Sequence, residues 1–247
     1  MKRTGQAHGG PITAPGAGPA LRRLRTRLLQ GTGLQSGNRI DRAGWLLTAA
    51  GGAIALGLWA SPLPELSRTA FSAHMILHLG VISLAAPLLA LGMVRLGVGR
   101  AVLPPVAGAA VFATLFDLVV VWGWHLPALH EAAARELPLF VLQQASFLLA
   151  GVAVWVTALG SDEGSGPLGG LLALLFTGMH MTMLGVLLLV APQLLYDPSL
   201  CVGIFGFERL DDQRLGGVLM ASLGGLPYVA GGLLLVARML RAGPRAG

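Results

Sequence analysis

Apolar residues along this chain gather into six long runs, near residues 44–60, 71–92, 104–124, 138–159, 168–191 and 215–237. Polar and charged residues concentrate between them. None of the runs alternates with the period of two that a barrel wall requires. Most approach the roughly 20 residues that a helix needs to cross a hydrocarbon core, although the first is short. Inside lipid a continuous helix satisfies its own backbone groups, so the pattern predicts an all-α, polytopic membrane bundle of about six transmembrane helices. Small residues such as Gly51, Gly52, Gly185, Gly231 and Gly232 recur within the runs and let helices approach closely. Pro87 is placed to kink the second span, because its ring removes an amide and crowds the preceding turn.

Composition strengthens this reading. Of the 247 residues, 54% are hydrophobic and 11% charged, with a mean hydropathy of +0.72. A soluble domain carries about 25% charged residues, so this chain has too few to cover a surface facing water. Residues 1–43 are different: they hold Gly, Pro, Ala and Arg without an apolar run, as a basic, disordered cytoplasmic tail would. Within the tail, residues 21–30 suit a short basic amphipathic turn on a lipid surface. The expected organisation is this tail, a transmembrane helical domain over 44–238, and a short cytoplasmic tail over 239–247. Lys2 and Arg3 precede no apolar signal segment, so the first span is expected to insert uncleaved.

The net charge of +6 is explained by placement and calls for no nucleic-acid partner. Of the 17 Lys and Arg, 13 fall on one side of the expected membrane; only Arg68, Arg135, Arg209 and Arg214 fall on the other. The positive-inside rule then puts both termini in the cytoplasm of a cell with a multi-pass plasma-membrane protein. The outer loops carry Glu65, Glu131, Glu136, Asp197, Glu208, Asp211 and Asp212. An acidic outer face suits a cation or a basic partner, and equally suits plain loop solvation. A single cysteine, Cys201, excludes an internal disulfide, a CxxC pair, a Cys-based zinc site and a CxxCH haem attachment.

Polar residues inside the spans carry the candidate chemistry. His74 and His78 are four apart and share a helix face in the second span; two imidazoles so placed can bind a metal or present haem ligands, or each can bond a neighbouring carbonyl. Asp117 sits in the third span, where a carboxylate costs about 2.5–3.5 kcal/mol on insertion scales. Such a group can ligate a metal, orient a ligating imidazole, relay protons or hold a neighbouring helix. The fifth span contains Met179, His180, Met181 and Met183. Thioether and imidazole together favour a soft ion, above all Cu(I), and Met also fills gaps in apolar packing.

Helix rise gives these groups a depth. His78 and Asp117 lie about 10 Å below the outer ends of their spans, Gln143, Gln144 and Met220 about 8 Å, Met183 about 12 Å and His180 about 17 Å. The sequence therefore predicts one polar layer in the outer half, with His180 slightly deeper. His125 and His130, in WHLPALHEAA, are expected at its mouth.

Several blocks, in order, carry a family resemblance. FSAHMILHLGVISLAAPLLALG, WHLPALHEAA, SFLLAGVAVW, LGVLLLVAPQLLYDP and DDQRLGGVLM, between Phe71 and Arg238, resemble the CtaG family of cytochrome c oxidase assembly factors. The resemblance implies a multi-pass accessory protein that helps copper reach the oxidase, without being an oxidase subunit. It marks His74, His78, Asp212 and Gln213 as positions of interest. The chain departs from the family pattern in carrying Gln143 and Gln144 where relatives often have His, in lacking a Trp after Met220, and in showing six spans where more are common.

The leading expectation is a non-enzymatic copper-handling assembly factor. Copper, as Cu(I), enters from the outer side past His125 and His130. His74 and His78 hold it, His180 or Met183 completes a low-coordinate site, and Asp117 orients an imidazole from behind. Cytochrome c oxidase subunits or a copper chaperone are the expected partners, beside membrane lipid; the oligomeric state is not legible. One alternative is a membrane haem protein using His78 and His180 as an axial pair. The other is a small-ion transporter, against which the missing internal repeat counts.

Overall fold

The computed structural model describes residues 41–98, 108–160, 166–203 and 206–242. The tail through residue 40, with its expected amphipathic turn, and the first residues expected of the third span lie outside them. From Asp41 onward the regular elements among the described residues are all helices, with no strand. The helices are α1 (Arg42–Ala60), the short α2 (Leu63–Leu66), α3 (Phe71–Leu79), α4 (Ala86–Arg95), α5 (Ala109–Trp124), α6 (Pro127–Arg135), α7 (Leu137–Leu159), α8 (Gly166–Val190), α9 (Arg209–Leu223) and α10 (Leu226–Ala242). A π-helical segment, Gly80–Ala85, joins α3 to α4.

Five stretches are long and apolar enough to cross a membrane: Arg42–Ala60, Phe71–Arg95, Leu137–Leu159, Gly166–Val190 and Arg209–Arg241. A sixth exists if α5 and α6, bent by 73° at Leu126, form one broken span. The bundle is therefore a membrane bundle of five or six spans. The bend has a local cause. Leu126 has extended backbone, and Pro127 opens α6 where its missing amide costs nothing.

Pro87 acts one turn earlier than a simple kink requires. It sits in the first turn of α4, and the disturbance appears as the π segment before it, where the Ala86 amide reaches back to the Val81 carbonyl. Such a widened turn is a common response to a break in the regular helical ladder. α7 packs on it closely: a Cβ on Gly151 would stand 2.9 Å from Ala86 and Ile82 side-chain atoms.

Polarity is inverted relative to a soluble protein. Trp45 and Leu56 of α1, Phe112 and Val119 of α5, Leu149 of α7, Leu175 of α8 and Leu234 of α10 are all exposed, as side chains facing lipid must be. The interior instead holds His74, His78, Asp117, Gln143, Thr177, His180, Asp212 and Gln213, all buried. At one edge Asp41 caps α1 through the Gly44 amide at 3.0 Å and accepts from Arg95, at the far end of α4, at 3.2 Å. The Gly44 amide and then Arg95 hold the Asp41 carboxyl below its ordinary range.

α9 runs between α8 and α3, and its close approach to α8 depends on two glycines. A Cβ on Gly217 would stand 2.6 Å from the Leu189 amide, and one on Gly185 2.7 Å from Ala221 Cα. These contacts are backbone, which cannot yield as a side chain can. Gly185→Val should destabilise the bundle by about 1–3 kcal/mol, the usual cost of overpacking. Gly52→Ala, where a Cβ meets open space, should leave stability unchanged or raise it by about 0.5–1 kcal/mol. Unfolding midpoints in detergent distinguish the two; equal midpoints would show that the α8–α9 crossing is not close-packed.

Candidate functional site

α3 begins inside the protein, so its first amides need acceptors that water cannot supply. Asp212, fully buried near the start of α9, provides them. Its Oδ2 accepts from the Phe71 amide at 2.7 Å and the Ser72 amide at 3.3 Å, and its Oδ1 accepts from the Ser72 hydroxyl. The neighbouring Gln213 fastens the segment after α8: its Oε1 accepts from the Leu195 amide at 2.8 Å. The two residues of the DQ motif thus tie α9 to the histidine helix and to the 191–203 connection. Asp212 is accordingly no part of an acidic face, contrary to the loop reading of the sequence.

One turn into α3, His74 meets three other imidazoles. Ring centroids are 6.2 Å apart for His74–His78, 4.7 Å for His74–His130, 5.8 Å for His74–His125 and 5.4 Å for His78–His125. His125 terminates α5 and His130 lies on α6, so the α5–α6 bend is what brings them in. Both were expected at an open mouth; both are 5% exposed and belong to the interior cluster. The reason is tertiary: α6 folds back across the end of the bundle, and the 191–203 connection closes over it. Tyr196 packs tilted against His130 at 4.4 Å and stacks on Phe71 at 4.8 Å, and its hydroxyl donates to the His125 carbonyl at 3.1 Å. Phe147 of α7 packs on His78 at 4.1 Å, and Gln143 lies one turn from it on the same face.

Outside the cluster, charged groups hold the cover in place. The Asp197 amide donates to Glu131 at 2.9 Å, Arg135 bonds Asp197, and Arg68 Nε donates to the Ala134 carbonyl at 2.7 Å. The Ser199 amide and hydroxyl, followed by Arg135, hold the Asp197 carboxyl below its ordinary range. Cys201 is buried in the same connection, and burial above all pushes its thiol up to about 12. It stands as a neutral packing group.

The cluster's ring nitrogens are largely unclaimed. His125 Nδ1 lies 2.6 Å from the Val121 carbonyl, but His74 Nε2, both nitrogens of His78, His125 Nε2 and His130 Nδ1 are buried without a hydrogen-bond partner. Buried polar atoms are ordinarily paired, so these five nitrogens stand out; a neutral imidazole carries one N–H and one lone pair, so each ring offers a single lone-pair nitrogen. The rings nonetheless pack against one another, and among the described residues no three His, Cys, Asp or Glu side chains converge as a ready-made metal cage.

Two residues expected in this site stand elsewhere. His180 Nε2 lies 3.2 Å from Asp117 Oδ2, out of line for a straight hydrogen bond. Asp117 therefore addresses His180, not His74 or His78. Met183 is 47% exposed and lines an apolar groove of about 570 Å³ between α8 and α10 with Met179, Thr182 and Tyr228. The single polar layer resolves into two groups because α8 turns His180 toward α5 and its Met179–Met183 face outward, a rotation that depth along a helix does not encode.

Fold and site together define a helical integral membrane protein with a buried histidine cluster under a tied-down cover. The chain matches the cytochrome c oxidase caa3 assembly factor family (Caa3_CtaG) over residues 19–242, and belongs to that family. Comparison with curated proteins and with solved structures returns no match.

The sequence resemblance marked Asp212 and Gln213 but gave them no task; their reach across to α3 and to Leu195 supplies it. Asp212→Ala should destabilise the protein by about 1–3 kcal/mol, because buried amides at the start of α3 lose their acceptor. Asp212→Asn, which keeps one acceptor oxygen, should lose less. Denaturation in mixed detergent measures both, and an Ala variant as stable as wild type would remove the cap from this account.

Proposed function

We propose that this chain assists cytochrome c oxidase assembly by holding copper, as Cu(I), in the imidazole cluster on the outer side of the cell membrane. The observation that supports this most is the set of five unpartnered nitrogens on His74, His78, His125 and His130. Neutral imidazoles suit copper, and a bundle interior excludes the water that would compete for the ion. Neither His180 nor Met183 belongs to this ligand set. When bound, copper is cargo, and the protein's own task is to hold it weakly enough to release.

The residues divide that task. His74 and His78 present donors from one helix face; His125 and His130 present them from the α5–α6 bend. Asp212 fixes the start of α3, and Phe147 and Phe71 wall the rings. Tyr196 and the 191–203 connection lie over the cluster, where oxidase subunits or a copper chaperone would dock. Ligand exchange suffices and no covalent chemistry is required, so the role is that of an accessory protein. The haem alternative is less favoured, because Phe147 lies 4.1 Å from His78 and His180 is engaged by Asp117.

Anaerobic Cu(I) loading of purified protein tests the site. Wild type should bind Cu(I) stoichiometrically, and His74→Ala/His78→Ala should bind almost none while inserting normally. His125→Ala should also lose most of it. Met183→Ala and Cys201→Ser should bind as wild type does. Equal copper in wild type and a well-folded double Ala variant would refute the assignment. In cells lacking the protein, oxidase activity should fall more than oxidase subunit synthesis; oxidase with its full copper content there would count against the assembly role. Both termini are placed in the cytoplasm by the basic-residue asymmetry, so a periplasm-active reporter fused after Gly247 should stay silent, and a strong signal would overturn that orientation.

A further inference from the structure

The Asp117–His180 pair is separate from the imidazole cluster, and nothing assigned so far uses it. Asp117 is fully buried on α5, eight residues or about 12 Å of helix rise before His125. The His125 ring folds back along that helix, since its Nδ1 lies 2.6 Å from the Val121 carbonyl; the two sites are thus roughly 10 Å apart. Beyond the 3.2 Å contact between them, the Asp117 carboxylate and the His180 ring have no hydrogen-bond partner, nor has the Thr177 hydroxyl.

The groups facing Asp117 are few. α8 contributes His180, 3.2 Å away. α10 contributes Tyr228, within electrostatic reach. α7 contributes the uncharged Trp155 indole, stacked on Tyr228 at 5.4 Å. Among the described residues no Lys or Arg pairs with Asp117. A lone carboxylate is too costly in such surroundings, so carboxyl and imidazole together hold one proton. The pair as a whole then carries no net charge.

A cation in the imidazole cluster disturbs this balance, because four neutral imidazoles bring no countercharge. We propose that Asp117 and His180 form a proton site that compensates the bound cation. Cu(I) entering the imidazole cluster expels the proton held by the pair to solvent and leaves one negative charge there, on Asp117. One positive charge enters, one leaves, and no electron moves. The inference rests on the copper reading of the cluster and adds an exchange activity to it.

Over about 10 Å at an effective dielectric of about 20, one unit charge shifts a proton equilibrium roughly ten- to twentyfold. Linkage is reciprocal, so losing the proton must strengthen Cu(I) binding by the same factor. Affinity therefore rises with pH.

The test loads the purified full-length protein with Cu(I) alone, without oxygen, in weak buffer with a pH indicator, so that bound copper and released protons are counted in one titration. Wild type should release protons as copper binds, and its affinity should climb about ten- to twentyfold across the pH range in which the pair deprotonates. Asp117→Asn should bind Cu(I) weaker by that factor, with no proton release and no pH dependence; Asp117→Glu, which keeps the carboxylate, should retain both. Copper binding without proton release by wild type overturns this inference alone, and needs no variant to fold. Release that persists in Asp117→Asn also overturns it, by tracing the protons to the imidazoles. Absence of Cu(I) binding to wild type overturns the reading of the cluster and this inference with it.

Discussion

The start of α3 is the point on which the histidine site depends. A helix that begins in a dry interior must find an acceptor for its first amides, and here that acceptor comes from another helix 141 residues away in sequence. Asp212 can reach Phe71 and Ser72 because α9 lies against α8 at a crossing lined by Gly185 and Gly217. The crossing sets the position of Asp212, Asp212 sets the start of α3, and the start of α3 sets where His74 and His78 point. Conformational order at the site thus comes from backbone satisfaction, a stricter demand in lipid than in water.

The same demand explains the inverted polarity. Apolar residues can face lipid anywhere on the bundle, so they specify little about which helix meets which. The buried polar residues specify more, since each must find a partner or remain costly. Asp212 and Gln213 find theirs in backbone amides, Trp124 in the Ser146 hydroxyl at 2.8 Å, and Trp59 in Gln144 at 3.4 Å. Those left without one are concentrated in the imidazole cluster and around Asp117.

Two arrangements at the histidine end work together. The π segment after His78 and the 73° bend after His125 both interrupt regular helix beside the cluster. Regular spans would carry their histidines past one another in parallel; the bend instead turns His130 back over His74. The cover formed by Tyr196 and Asp197 then holds α6 in place through His130, His125, Glu131 and Arg135.

Much was legible in the sequence, for a definite reason. Span number, helical class and the burial of His74, His78, Asp117 and His180 follow from hydropathy and the cost of polar groups in hydrocarbon, which are local properties of each run. The blocks around HMxxH and DQ likewise named residues that the structure places together. Which polar groups meet was not legible, because that depends on the rotation of each helix about its axis and on bends at its ends. His125 and His130, read as a mouth, became half of the cluster when α6 folded inward. Met183, read as a ligand, turned outward when α8 presented His180 to Asp117. Depth along a helix is written in the sequence at a fixed rise per residue; azimuth is fixed only when glycine crossings, caps and neighbouring side chains choose one packing among several of similar hydrophobicity.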